Sequence, residues 1–139
     1  TFACGDDNVS VVSFIVSEDA KILFLPFDRV MHSCTNACVF HHMLIENMVR
    51  IIANKNRDLM RKVEVISKKS LREKILAYLS IQAQVHKSPY FEIPLGRGEW
   101  ADYLCADRSA LTRELVKMKE DGLIDYDRNS FRILQQNTR

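Results

Sequence analysis

The stretch CADRSALTRELVKM, residues 105–118, has the pattern of a short amphipathic helix. At 100° per residue, Leu115 lies about 40° from Leu111, so these apolar side chains share one face. Ser109 and Arg113 lie within about 20° of the opposite direction. We therefore predict a helix that packs through its apolar face and presents small polar and cationic side chains outward.

Flanking patterns place this helix in a small domain, residues 68–139. Ser70 and Glu73 form a capping-box pattern that starts a helix, and Gly122 suits the residue that follows a helix end. Beyond Gly122, two apolar runs around a polar turn predict a hairpin. With a short strand at Tyr90–Ile93, the predicted order is helix, strand, helix, turn, helix and hairpin, which is a winged helix-turn-helix. The expected buried positions are Trp100, Ala101, Leu104, Ala106, Leu111, Leu115 and Met118.

A long helix is predicted over residues 36–67, because no Gly or Pro interrupts this segment. Its apolar side chains recur at the spacing of a coiled-coil seam. A rod of about 45 Å, at about 1.5 Å per residue, is too long for so small a chain to cover. Packing on its own domain is the alternative, but a second copy is the more economical partner. The expected dimer interface consists of Ile45, Met48, Ile52, Leu59 and Ile66.

The first 35 residues are expected to be the remnant of a β-domain. Val9–Val16 and Lys21–Leu25 are rich in β-branched and aromatic residues and are separated by a polar segment. Two strands alone do not form a stable sheet in water, so we predict that they belong to a larger sheet in a chain that begins before Thr1. The predicted fold class is α+β and mainly helical.

Composition excludes several classes of protein. The chain has 139 residues, of which 47% are hydrophobic and 27% charged, as in folded rather than disordered chains. No apolar run reaches the roughly 18 to 20 residues that a membrane-spanning helix needs, and no signal-peptide pattern is present. We expect a cytoplasmic protein without membrane contact, and the four irregularly spaced cysteines agree with a reducing compartment.

The net charge of +2 is unevenly distributed. Residues 50–87 hold ten basic against three acidic side chains, whereas residues 88–139 hold eight against nine. The basic segment favours a polyanionic partner. Glu114, Glu120 and Asp121, close to the amphipathic helix, predict weak and salt-sensitive non-specific binding. Four basic side chains either flank such a partner or face solvent: Lys68, Lys69, Arg72 and Lys74.

Motifs for catalysis are absent, including the P-loop, the dinucleotide-binding glycine motif, the nucleophile elbow and the zinc-protease motif. We expect no enzymatic activity and no cofactor. One cluster has the chemistry of a metal site, because two thiols and two imidazoles recur at helical spacing. Small cysteines that fill a helix-packing surface are the favoured interpretation, so no metal is predicted. The cluster consists of Cys34, Cys38, His41 and His42.

The segment RGEWADYLCADRSALTRELVKMKEDGLI, Arg97–Ile124, resembles the DNA-binding signature of the Crp/Fnr family of bacterial transcription regulators. The long helix is similar to the family's dimerisation helix, and residues 1–33 are similar to the end of its cyclic-nucleotide-binding β-roll. The resemblance implies a homodimer that binds a two-fold symmetric operator on double-stranded DNA under control of an effector in the β-roll. RNA polymerase is a further expected partner. Val9–Val16 lacks the Arg-Ser/Thr pair of cAMP-binding relatives, so cAMP is not the expected effector.

Residue roles follow from the same resemblance. In a helix-turn-helix the second helix enters the major groove, and Arg108 and Arg113 match the family's base-contacting arginines. For Arg113, binding to phosphate is the alternative. Ser109 stands where a Glu commonly reads a C·G pair, so we expect an altered half-site. Cys105 occupies a turn position where relatives usually have Gly. By the chemistry of their groups, the expected phosphate contacts come from Arg97, Gly98, Thr112 and Lys117.

A second hypothesis is a dimeric protein-interaction module whose helix-turn-helix no longer binds DNA. The two hypotheses differ in what they require of the outward arginines. A module that had lost DNA binding would not be expected to keep Arg108 and Arg113 facing out, so the sequence favours DNA binding.

Overall fold

The computed structural model describes residues 13–26, 29–30 and 39–134. Contacts divide the chain into two compact units, Thr1–Asn54 and Lys55–Arg139. The division falls after Asn54, within the predicted dimerisation helix of residues 36–67. The predicted domain boundaries were at the two ends of this helix. The end of that helix therefore belongs to the second unit. Within the described residues, no helix is both long enough and apolar enough to cross a membrane.

The long helix, α1, runs from Val39 to Ile66. It confirms the predicted helix, whose first three residues lie outside the described part of the chain. Arg50 donates to Glu46 at 2.9 Å, one turn earlier on the exposed surface. Near its end, Val65 is fully buried and joins the core of the second unit. The chain then turns over four residues before the next helix begins, as the capping box predicts.

The N-terminal segment differs from the prediction. Residues 13–26 contain no strand, so the described parts of Val9–Val16 and Lys21–Leu25 do not pair, and residues 9–12 lie outside the described chain. Their apolar side chains are exposed, and Ile15 is 93% accessible. Strands need partner strands and a covered apolar face, and the described residues supply neither here. The assignment of residues 1–35 to a β-roll remains a prediction.

The second unit is a winged helix-turn-helix, as predicted. A three-stranded antiparallel sheet has the order β1-β3-β2, in which Phe131 of the central strand lies opposite both Phe91 and Tyr126. This mixture of helices with one small sheet confirms the α+β fold. The elements after α1 are α2 (Leu71–His86), β1 (Tyr90–Glu92), α3 (Arg97–Tyr103), α4 (Arg108–Glu120), β2 (Ile124–Asp127) and β3 (Ser130–Ile133).

Local contacts explain where the helices begin and end. Ser70 Oγ accepts from the Glu73 amide at 3.2 Å, and Glu73 Oε2 accepts from the Ser70 amide at 2.9 Å. This closes the predicted capping box of α2. After α4, Gly122 adopts φ 69°, a left-handed conformation that costs glycine little.

The core of this unit is built around Trp100. Its indole is fully buried, and its ring centroid lies 5.3 Å from that of Tyr78 on α2 and 5.3 Å from that of Phe131 on β3. Aromatic rings at this separation attract each other beyond the effect of buried area. Of the seven predicted core positions, six are buried and Ala106 is partly buried. The same packing fixes the position of α4.

Candidate nucleic-acid interface

Helix α4 is anchored through one face. Leu111, Leu115 and Met118 are buried, each with at most 1% of its surface exposed. The turn before α4 contains Cys105 at φ 52°, a left-handed conformation that suits the predicted turn position and is costly for a residue with a side chain. The turn therefore directs the chain sharply from α3 into α4, and the opposite face of α4 points to solvent.

The predicted base-reading and phosphate-contacting side chains of α4 lie on that solvent face. Neither the Arg108 nor the Lys117 side chain forms a hydrogen bond or ion pair to any described residue. Thr112 Oγ1 donates to the Arg108 carbonyl at 2.9 Å, so its hydroxyl hydrogen is used within the helix. The exposed side chains are Arg108, Ser109, Thr112, Arg113 and Lys117. The solvent face of α4 therefore presents three cations and two hydroxyls, and each hydroxyl has a hydrogen-bond partner at the start of the helix.

Asp107 caps the N-terminus of α4. Its Oδ1 accepts from the backbone amides of Ser109 at 2.8 Å and Ala110 at 3.1 Å, and from Ser109 Oγ at 2.5 Å. The hydroxyl of Ser109 and these two amides hold the pKa of Asp107 below its ordinary value of 3.8. The carboxylate is therefore ionised at neutral pH, and the start of α4 is held in one conformation. Sequence reasoning missed this cap, although Asp two residues before Ser is a recognisable N-cap signal.

The lowered pKa of Asp107 predicts acid-sensitive stability. Because the folded-state pKa lies below the unfolded value, the stabilisation is complete above about pH 3.8 and is lost as the pH falls through the folded-state pKa. Asp107→Asn keeps a capping oxygen but does not titrate. We therefore expect the wild type to lose stability relative to Asp107→Asn between pH 7 and pH 2.5 in urea unfolding. Parallel pH profiles for the two proteins would contradict this assignment, since all other carboxylates titrate in both.

Arg97 is placed differently from the other predicted phosphate contacts. Its Nη2 donates to the Arg128 carbonyl at 2.5 Å, and its guanidinium lies 5.2 to 5.6 Å from the ring centroids of Trp100, Tyr126 and Phe131. Burial lowers its pKa. In this structure the side chain connects the start of α3 to the hairpin of β2 and β3, which is the wing (residues 124–133). A phosphate contact would compete with these interactions. Gly98 is exposed in the first turn of α3, and its phosphate contact stays a prediction.

Arg72 of α2 forms ion pairs with Glu114 on α4 and with Asp121 at the end of α4. Its Nε donates to Glu114 Oε1 at 2.5 Å, and its Nη1 donates to Asp121 Oδ2 at 2.6 Å. Hydrogen bonds to both carboxylates raise the pKa of Arg72. Nearby, Lys74 Nζ donates to the Leu104 carbonyl at 3.1 Å, at the turn before α4.

These contacts revise the expected charge balance of the interface. Two basic side chains considered as flanking a polyanion instead support α4. The carboxylates of Glu114 and Asp121, expected to weaken binding, are each paired with the guanidinium of Arg72. No sequence pattern signals these pairs, because their members are 42 and 49 residues apart.

The proposed metal cluster is only partly described. His41 Nε2 lies 2.6 Å from the Val30 carbonyl oxygen, while Cys34 and Cys38 lie outside the described residues. Within the described residues, no three His, Cys, Asp or Glu side chains are arranged to hold a metal ion. The cluster Cys34, Cys38, His41 and His42 thus remains a sequence-based candidate.

Comparisons with known proteins agree with this geometry. Residues 73–137 match the family of Crp-like helix-turn-helix domains. The chain is 24% identical over 122 residues to the transcriptional activator protein FnrA of Stutzerimonas stutzeri. The matched segment covers 84% of this chain and 48% of that protein. The chain thus spans about half the length of this relative.

The chain is also similar to a solved structure, which is described as a transcriptional regulator of the Crp/Fnr family from Eubacterium rectale. It has 22% sequence identity and a TM-score of 0.48, over 68% of this chain and 43% of that one. The domain match to residues 73–137 covers both helices of the helix-turn-helix and the wing. Residues 73–137 are therefore assigned as a Crp-like helix-turn-helix domain.

Proposed function

We propose that the protein is a sequence-specific DNA-binding transcription regulator that inserts α4 into the major groove. The observation that carries this proposal is the arrangement of α4, whose apolar face is locked into the core while Arg108, Ser109 and Arg113 face solvent. Arginine can present two parallel donors to guanine O6 and N7, and a hydroxyl can contact any base edge. Outward arginines on a rigidly held helix favour this function over a protein-interaction module.

Selection of bound sequences from random double-stranded DNA tests the proposal. A homodimer should enrich an inverted repeat whose half-site centres lie about 34 Å apart, or a multiple of that distance, because each subunit presents one α4 to one face of the duplex. Low salt should be used first, since few phosphate contacts are expected and affinity falls with salt. Absence of any enriched sequence at low salt would overturn the proposal.

Homodimerisation through α1 is the second part of the proposal. Along this helix, several apolar side chains face solvent in the single chain, among them Ile52, which is 48% exposed, and Leu59, which is 63% exposed. Ile45, Met48 and Ile66 are partly buried at the same seam spacing. Exposed apolar residues at this spacing are typical of a helix that packs against another helix.

Charge placed in the seam is expected to disrupt the dimer. Ile52→Asp would bury a carboxylate opposite its own symmetry mate, so the dimer dissociation constant should rise at least about ten-fold. Asn47→Asp is the matched control, because it adds the same charge at an exposed position away from the seam. Sedimentation equilibrium measures both. Equal dissociation constants for the two variants would show that α1 does not dimerise through this seam.

Control by an effector completes the proposal. We assign effector sensing to residues 1–35 as part of a β-roll, dimerisation to residues 36–67 and DNA binding to residues 68–139. The similarity to a transcriptional activator over 84% of the chain supports a role in regulating transcription. A cytoplasmic regulator of this kind would also contact RNA polymerase. An effector would act by changing how the two copies of α4 are spaced, since only a pair of correctly spaced helices can occupy both half-sites.

A further inference from the structure

The hydroxyl of Ser109 is held in one orientation by Asp107. Ser109 Oγ lies 2.5 Å from Asp107 Oδ1, and the same oxygen accepts from the Ser109 and Ala110 amides. An ionised carboxylate only accepts hydrogen bonds. Because the carboxyl group is ionised at neutral pH, the hydrogen in this contact belongs to the hydroxyl of Ser109, which donates it to Asp107.

A serine held in this way differs from a free serine. A free hydroxyl rotates and either donates or accepts, so it tolerates every base. With its hydrogen committed to Asp107, Ser109 Oγ offers only lone pairs to the surroundings. The side chain is exposed on the solvent face of α4, in the first turn beside Arg108. It is therefore an acceptor placed where the helix would meet base edges.

The cap also changes what the first turn of α4 can bind. Free amides at a helix N-terminus attract phosphate, but the Ser109 and Ala110 amides donate to Asp107. The negative charge of Asp107 further opposes an anion at this place. Two first-turn amides are thus withdrawn from phosphate, and a group that donates hydrogen bonds is favoured beside Ser109.

Resting on the DNA-binding function proposed above, we propose that Asp107 and Ser109 together select a base with an exocyclic amino group at one position of each half-site. In the major groove, cytosine offers its N4 amino group and adenine its N6 amino group, whereas guanine O6 and thymine O4 are acceptors. Two acceptors facing each other repel, so guanine and thymine are disfavoured at this position. Asp107 is a positioning residue here, and Ser109 Oγ makes the base contact.

Random-sequence selection with the full-length protein and three variants tests this proposal. The position that Ser109 reads is the one at which Ser109→Ala selects different bases from the wild type. The wild type should select cytosine or adenine there, by about five-fold over guanine or thymine, as one hydrogen bond permits. Asp107→Gly removes the carboxylate that accepts the hydrogen of the Ser109 hydroxyl, yet glycine is tolerated as a cap residue. The preference for cytosine or adenine should then disappear. Asp107→Asn, the matched control, keeps a carbonyl acceptor and the preference.

A second measurement does not depend on a cap variant. In the selected operator, the amino-bearing base is replaced by 2-pyrimidinone for cytosine or by purine for adenine, which lack the amino group. The wild type should lose affinity about five-fold, and Ser109→Ala should lose less than two-fold. An equal loss of affinity in the wild type and in Ser109→Ala would show that Ser109 does not contact the amino group.

The outcomes separate this inference from the proposed function. An inverted repeat with guanine or thymine at the Ser109 position would overturn the inference and leave DNA binding intact. Equal base preferences for Asp107→Gly and Asp107→Asn would likewise show that Asp107 does not orient the hydroxyl. Failure to enrich any inverted repeat with the wild type would overturn both the function and the inference.

Discussion

Replacing Trp100 with alanine is expected to lower the free energy of unfolding of the second unit by about 3–5 kcal/mol, the usual cost of truncating a buried tryptophan. The indole is fully buried and packs between Tyr78 of α2 and Phe131 of β3. Its removal leaves a cavity where α2, α3 and the sheet meet, so helix-turn-helix and wing should be weakened together. Urea unfolding followed by circular dichroism measures the loss, since Trp100 is the only tryptophan and its fluorescence disappears with it.

Two variants give this prediction its controls. Trp100→Phe keeps a ring in the core, and it removes an indole N–H that has no hydrogen-bond partner in the described residues, so its loss of stability should be smaller. Val116→Ala shortens a side chain on α4 that is 44% exposed and should have little effect. A Trp100→Ala protein as stable as Val116→Ala would show that the core is not organised around the indole.

Replacing Arg108 with alanine should abolish discrimination at one base position of each half-site. A bidentate contact to guanine contributes about 1–3 kcal/mol of discrimination, which corresponds to a roughly five- to 150-fold change in relative affinity. The affinity for the preferred operator should fall toward that for a sequence mutated at the same position. Competition binding with the two operators at constant salt measures this ratio.

Lys117→Ala is the matched control for Arg108→Ala, since both remove one exposed cation from α4. A phosphate contact carries no sequence information. The lysine variant should therefore weaken all operators alike and reduce the slope of log affinity against log salt by about 1. If both variants changed base preference to the same extent, the assignment of one to bases and the other to phosphate would be wrong.

Local patterns predicted most of the second unit. The capping box at Ser70, the left-handed glycine at position 122 and the apolar spacing of α4 each depend on residues within one or two helical turns of each other. Such interactions form wherever the segment is helical, so their residues can be recognised without knowing the rest of the fold. The solvent face of α4 was predicted for the same reason.

Distant residues bear on two predictions: the N-terminal strands are absent from the described residues, and the phosphate contact of Arg97 stays a prediction that competes with contacts made in the fold. Arg97 looked like a phosphate ligand in sequence, but the wing brings the Arg128 carbonyl and three aromatic rings to it. The described parts of the two N-terminal apolar runs, expected as strands, remain unpaired. Strand formation and the direction of a long side chain both depend on what lies beside them in space.

Helical periodicity, which depends on near neighbours, was enough to place the helices, the buried face of α4 and the outward direction of Ser109 and Arg113. Periodicity put Arg108 at the side of α4, and the structure shows that this side chain is exposed. Only the tertiary structure decided that Arg72 supports α4 by pairing with Glu114 and Asp121, and that Arg97 packs on the wing. These contacts join residues tens of positions apart, whose approach depends on the packing of helices and sheet around Trp100 rather than on any local pattern.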